Sequence, residues 1–180
     1  MKILKGIFLV IILLIVSALI VALFVKKDMG ATREVVITKP KTEVFEYVKY
    51  LKNQNNFSKW AGMDPNMKKD FKGTDATVGF VSAWESNVKD VGKGEQEITA
   101  IKDGESINYE IRFIKPFESK ATSMLTTEAV NDSTTKVKWS FAGRMNYPLN
   151  IMQLFMDMDK SIGDDFGIGL NNLKAILEKK

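Results

Sequence analysis

Residues 106–142 read SINYEIRFIKPFESKATSMLTTEAVNDSTTKVKWSFA, a stretch in which apolar and polar side chains alternate with a period of two. Ile107, Tyr109, Ile111 and Phe113 share one face, as do Val137, Trp139 and Phe141, while Asn108, Glu110, Arg112, Lys136 and Lys138 point the other way. This is the pattern of an antiparallel sheet with one face packed and the other wet. The breaks at Lys115-Pro116 and Asn131-Asp132-Ser133 carry turn residues, and Gly73-Thr74-Asp75, Asn87 to Asp90 and Lys102-Asp103-Gly104 add others upstream. The spacing predicts strands over Thr77 to Glu85, Gly94 to Ile101, Ser106 to Phe113, Glu118 to Val130 and Thr135 to Ala142, joined as a meander. On the first of these, Val78, Phe80, Ser82 and Trp84 fall on the apolar face.

The flanks change period. Upstream, Arg33 to Thr38 is rich in β-branched residues and reads as a strand ending before Pro40. Pro40 suits a first helical turn, and Val44, Phe45, Val48 and Leu51 then form an apolar helical face. Asn53, Asn55 and Asn56 end that helix, and Phe57 to Met67, with Trp60 and Asp64-Pro65-Asn66, reads as a short helix or a loop. Downstream, Ile151, Leu154, Phe155, Met158, Ile162, Phe166, Leu170, Leu173 and Leu177 recur at three-and-four spacing, which predicts one long amphipathic helix from Pro148 almost to the end. It contains Gly163, Gly167 and Gly169, each costing about 1 kcal/mol relative to Ala in an exposed helix. Two readings account for them: close packing or a kink against the sheet, or missing side chains that leave room for a small apolar ligand.

At the amino end, Gly6 to Val25 is 20 residues without a charge, flanked by Lys2, Lys5, Lys26 and Lys27. The run has bilayer length, exceeds the roughly 7–15 residues of a signal-peptide core, and lacks a following small-x-small pattern. The expected organisation is a membrane anchor at 1–27 with a transmembrane helix at 6–25, a linker at 28–31 and one domain at 32–180, a single-pass membrane protein. Lysines flank the run on both sides, so the positive-inside rule leaves open which side holds the domain. Of the 26 Lys and Arg, those four precede Asp28, while all 22 Asp and Glu lie from Asp28 onward. The part after the anchor is therefore neutral. The pI of about 9.1 is a property of the membrane flanks and does not point to nucleic acid.

The chain contains no Cys and no His. Ser-His-Asp and Cys-His nucleophiles, Cys/His zinc sites, thiol redox chemistry, disulfides and a lipidated cysteine are all excluded within it. No dinucleotide or P-loop fingerprint is present, because Gly92-Lys93-Gly94 lacks the further glycine and helix that such a site requires. No metal and no cofactor is expected. Glu85, Glu95, Glu97 and Glu110 lie on predicted strands, where a carboxylate facing an apolar cavity would serve as an acid or base. By alternation Glu85 and Glu110 face solvent. Arg112 and Arg144 are candidates for an anionic head group, and Asp157, Asp159, Asp164 and Asp165 read as a charged outer helix face.

Strand, short helices, long antiparallel meander and long carboxy-terminal helix, in that order, resemble the helix-grip fold of the START-like or SRPBCC superfamily, an α+β class in which a curved antiparallel sheet wraps a long C-terminal helix. Val35-Val36-Ile37 with Pro40, Val44-Phe45, Tyr47-Val48 and Trp60 resemble the opening of its polyketide cyclase/dehydrase-like branch. Ile162-Gly163 with Phe166, Gly169-Leu170 and Leu173-Lys174 resemble its closing helix, and Gly79, Trp84, Gly92-Lys93-Gly94 and Val137-Lys138-Trp139 fit between. The chain is most similar to membrane-anchored bacterial members of uncharacterised function. The resemblance implies a hydrophobic cavity between sheet and helix without implying a reaction. Its expected lining is Trp60, Phe80, Trp84, Tyr109, Phe113, Trp139, Phe141, Met158, Ile162, Gly163 and Phe166, each of which plain core packing also explains. The expected function is a membrane-tethered, monomeric domain that binds a lipid or another hydrophobic small molecule. Alternatives are an enzyme of cyclase or dehydratase type and an interaction module whose cavity is filled by its own side chains.

Overall fold

The period-two pattern becomes one antiparallel sheet of seven strands, described by a computed structural model over residues 2–179. Met1 and Lys180, which the expected anchor and domain boundaries include, lie outside the described residues. In chain order the strands are β1 (Asp28–Ile37), β2 (Lys68–Lys72), β3 (Val81–Glu85), β4 (Lys93–Lys102), β5 (Ser106–Lys115), β6 (Ser119–Asn131) and β7 (Thr134–Arg144). β2 to β7 pair sequentially, and β1 closes the order by pairing with β7. Register shifts at Lys93/Gly94, Ile98/Ala100 and Ala129/Asn131 bend the strands, so the sheet curves around what covers it.

Among the described residues five α-helices accompany the sheet: α1 (Lys2–Phe24), α2 (Lys41–Val48), α3 (Gln54–Phe57), α4 (Lys59–Met63) and α5 (Met158–Glu178). α5 lies in the concave face and is tied to β1 at both ends. Arg33 of β1 pairs with Asp159 at 3.2 Å, Lys174 Nζ donates to the Val36 carbonyl at 2.8 Å, and the Thr38 amide donates to Glu178 at 2.6 Å. Beneath its second half, Leu170, Leu173 and Leu177 join Ile37, Val44, Phe45, Val48, Ile98, Ile107, Leu125 and Val137 in the core. The resulting architecture is α+β and helix-grip, preceded by an apolar helix. By length and composition α1 can cross a bilayer, and among its apolar side chains only Ala22 is buried.

The structure departs from the sequence reading in four places. First, β1 begins at Asp28, because residues 28–31, expected as linker, pair with Arg144 to Phe141. Second, β2 was not anticipated: Lys-Lys-Asp-Phe-Lys has no apolar alternation, and this edge strand is exposed throughout. Third, Val78 lies outside the core at 62% exposure, since the chain turns through Gly79 at φ +88° before β3 starts. Fourth, the final helix starts at Met158 rather than Pro148. Asp157 caps it by accepting from the Lys160 amide at 2.9 Å, and the preceding apolar residues form a separate 3₁₀ turn over Leu149–Leu154.

On the convex face, Arg112 of β5 gathers three carboxylates: Glu95 and Glu97 of β4, and Glu110 two positions away. Glu97 and Glu110 are cross-strand partners, a like-charge juxtaposition offset by the guanidinium between them and by Lys120, 3.6 Å from Glu110. Its hydrogen bond holds the Glu110 carboxyl below the usual range. A depressed carboxylate contributes stability above its unfolded pKa and loses it as pH falls through the folded value. Arg112→Met should therefore lower the melting temperature at pH 7. The deficit should shrink at acid pH, as the Glu110 carboxyl protonates and no longer draws on the guanidinium. Thermal melts of both proteins across that range check it, and a deficit independent of pH would show that Arg112 acts by packing alone.

Candidate ligand-binding site

Where α5 stands away from the sheet at its amino-terminal half, a cavity of about 340 Å³ opens. Its floor is the inward face of the meander: Trp84 and Ser82 from β3, Gln96 from β4, Ile111 and Phe113 from β5, Ser123 from β6, and Trp139 and Phe141 from β7. Met158, Ile162 and Phe166 of α5 form one wall. The other is Gln54, Asn55, Ser58, Trp60 and Ala61 around α3 and α4, with Met29 of β1 closing one end.

Aromatic packing sets the cavity's shape. Trp139 stacks on Phe166 with centroids 4.3 Å apart, and Phe57 and Trp60 meet this pair edge-on at 5.7 and 5.8 Å. The Trp139 indole N–H donates to Ser123 Oγ at 3.0 Å, and Ser123 donates on to the Ser140 carbonyl at 2.9 Å, so this polar chain is satisfied internally. At the far end Trp84 meets Phe113 edge-on at 6.3 Å and donates to the Val91 carbonyl at 3.1 Å. Trp84 lies flat across its partner Gly94, where a β-carbon would come within 2.6 Å of the indole.

Of the residues expected to line a cavity, Trp60, Trp84, Phe113, Trp139, Phe141, Met158, Ile162 and Phe166 do. Phe80 does not: it is core, stacked on Phe71 at 6.1 Å. Tyr109 is likewise fully buried away from the cavity, and burial pushes its phenol up, so it stays protonated. Gly163 is corrected most sharply. Its missing side chain is occupied by the Arg33 guanidinium, which a β-carbon there would overlap, so it leaves room for Arg33 and not for a ligand. Gly169 follows the close-packing reading, since a β-carbon would lie 3.0 Å from Trp139.

The charged candidates are elsewhere. Glu95, Glu97 and Glu110 surround Arg112 on the convex face, Glu85 pairs with Lys93 at 3.1 Å, and Asp165 pairs with Lys59. Hydrogen bonding from Lys93 holds the Glu85 carboxyl below its ordinary value. Among the described residues no Asp or Glu lines the cavity and no cluster suits a metal ion. The sequence reading missed Gln96, whose amide nitrogen is buried without a partner in the cavity wall. Its signal was available as parity: Gly94, Gln96 and Ile98 occupy the inward positions of β4, and Gln96 is the polar member.

No family model matches this chain, and no curated protein is similar to it in sequence. Solved structures are similar in shape. Norcoclaurine synthase from Thalictrum flavum, in complex with dopamine and hydroxybenzaldehyde, superposes with a TM-score of 0.62 at 9% identity over 89% of this chain and 93% of that one. An uncharacterised protein from Bacillus thuringiensis gives 0.59 at 15% identity, over 84% and 100% of the two chains. Ara h 8.0201 gives 0.57 at 14%, over 83% and 97%.

The Gly163 and Arg33 contact generates a paired test. In an Arg33→Ala background Gly163→Ala should stabilise by about 0.5–1 kcal/mol, the ordinary gain of Ala over Gly in a helix. With Arg33 present the same change should gain less or nothing, because the methyl swings the guanidinium aside and loosens an exposed pair with Asp159 worth about 0–1 kcal/mol. Denaturant melts of the four proteins check the difference, and an equal effect in both backgrounds would reject the assigned contact. The sheet, its covering helix and these superpositions together show that the part of the chain after α1 has the helix-grip fold.

Proposed function

We propose that this protein is a membrane-tethered domain that holds a hydrophobic small molecule or lipid in the cavity between its sheet and α5. The observation that carries the reading is the combination of an aromatic and aliphatic lining with one unpartnered inward amide, Gln96 Nε2. A buried donor left unmade is costly, so the ligand that fits is apolar with a hydrogen-bond acceptor to meet Gln96. Size narrows it further. A cavity of about 150 Å³ suffices for benzene, so one of about 340 Å³ suits a two-ring compound or a single chain with a carbonyl or hydroxyl.

α1 supports the tether, being long and apolar enough to cross a bilayer. Tethering raises the local concentration of the domain where apolar ligands partition, so modest intrinsic affinity suffices. A cyclase or dehydratase of the kind suggested by the sequence resemblance draws less support. General acid–base chemistry needs a titratable group within reach of the substrate, and the acids lie outside the cavity, leaving Lys69 at its rim. The filled-module alternative is disfavoured by the open volume.

Native mass spectrometry of the detergent-solubilised full chain, before and after incubation with a total lipid extract, tests the proposal. A co-purifying mass lost on denaturation is expected. Ile162→Trp, which fills the cavity from α5, should reduce that occupancy at least about tenfold, the equivalent of 1.4 kcal/mol, while the protein stays folded. Equal occupancy in the folded variant would place the ligand elsewhere. Gln96→Leu should weaken ligands bearing an acceptor while sparing pure hydrocarbons.

A further inference from the structure

Between Arg144 and Asp157 lie twelve residues without a charge, Met145 to Met156. They do not join the core. Leu149, Met152, Leu154, Phe155 and Met156 are all exposed, Phe155 to 83%. This patch is fastened to the end of α1. Asn150, itself fully buried, donates from Nδ2 to the carbonyls of Ala22 at 2.7 Å and Val25 at 2.9 Å, and Gln153 donates to the Lys26 carbonyl at 3.0 Å. Side chains of the 3₁₀ turn thus meet the Ala22 carbonyl in the last turn of α1 and the two carbonyls of Val25 and Lys26 just after it, groups that the helix itself leaves without a partner. Where water is scarce such carbonyls must be met by protein, and Asn150 meets them.

These contacts also set a depth. Ala22 lies three residues inside the apolar run that ends at Val25, about 4.5 Å along the helix axis. Lys26 and Lys27 follow at the polar boundary. An element packed on Ala22 therefore sits level with the last apolar turn of α1, and an apolar surface at that level meets the acyl boundary, within the roughly 5–10 Å that interfacial segments reach.

We propose that the segment Leu149–Met156 is a second membrane contact, a bilayer-inserted footing that rests on the reading of α1 as a transmembrane helix and seats the domain directly on the lipid surface. The occupant of this face is the bilayer, by continuity with α1. Its consequence for the site is orientation. Met158, in the first turn of α5, lines the cavity two residues after the footing ends, and Met29 lines it four residues after the apolar run of α1 ends. Both connections hold the same end of the cavity against the membrane, so a ligand passes between bilayer and cavity without crossing bulk water.

Because the chain has no Cys, single labels can be placed at will. Full-length Phe155→Cys, Leu154→Cys, Leu14→Cys and Val130→Cys proteins, each carrying an environment-sensitive fluorophore, are reconstituted into phosphatidylcholine vesicles whose acyl chains are brominated. Strong quenching is expected at position 14, and quenching at 154 and 155 severalfold above that at 130, an exposed position in the β6–β7 hairpin. Quenching at 14 with 154 and 155 no stronger than 130 overturns the footing while leaving the anchor intact. Absence of quenching at 14 overturns the transmembrane reading and the footing with it. Both footing positions are exposed, so labelling leaves the fold undisturbed, and agreement between them guards against a local effect of one label.

Discussion

The contact on which the rest of the structure depends is the stack of Trp139 on Phe166, because it fixes how closely α5 approaches the sheet. Trp139 is held from the sheet side by its hydrogen bond to Ser123 and from the helix side by Gly169, whose missing side chain lets the backbone come down on the indole. Carboxy-terminal to this pivot, Leu170, Leu173 and Leu177 sink into the core. Amino-terminal to it, Met158 and Ile162 line the cavity instead, and the helix is tied to β1 through Arg33, which fills the space beside Gly163 and pairs with Asp159. The half of α5 that packs and the half that lines the cavity thus meet at the stack.

The two faces of the sheet solve opposite problems. Inward positions must fill or line an apolar space, where the polar Ser123 has an internal partner and the Gln96 amide nitrogen has none. Outward positions carry charge in quantity. There the risk is repulsion between neighbouring strands, and Arg112 meets it by bridging carboxylates on β4 and β5. Among the described residues no Asp or Glu turns into the cavity.

Asn150 and Gln153 join α1 to the rest of the protein through side chains as well as through the chain itself. Their three hydrogen bonds, one to Ala22 in the last turn of α1 and two to the carbonyls of Val25 and Lys26 that follow it, hold the end of the helix against the turn before α5.

The sequence by itself determined the sheet apart from β2, its inward face and the aromatic part of the cavity lining, since period-two alternation assigns a side to every residue once a strand is recognised. It also determined what chemistry is missing, because an absent residue type is absent wherever the chain goes. Only the tertiary structure decided the outcome where two readings shared one pattern. Ile151, Leu154 and Phe155 satisfy helical spacing as well as Phe166 and Leu170 do, yet Leu154 and Phe155 face outward because their segment packs on α1. Gly163 and Gly169 look alike in sequence, but one accommodates Arg33 from 130 positions away and the other Trp139 from 30. Which side chain fills a glycine's vacancy, and which apolar face finds protein to cover it, depends on neighbours distant in the chain, and local periodicity carries no information about them.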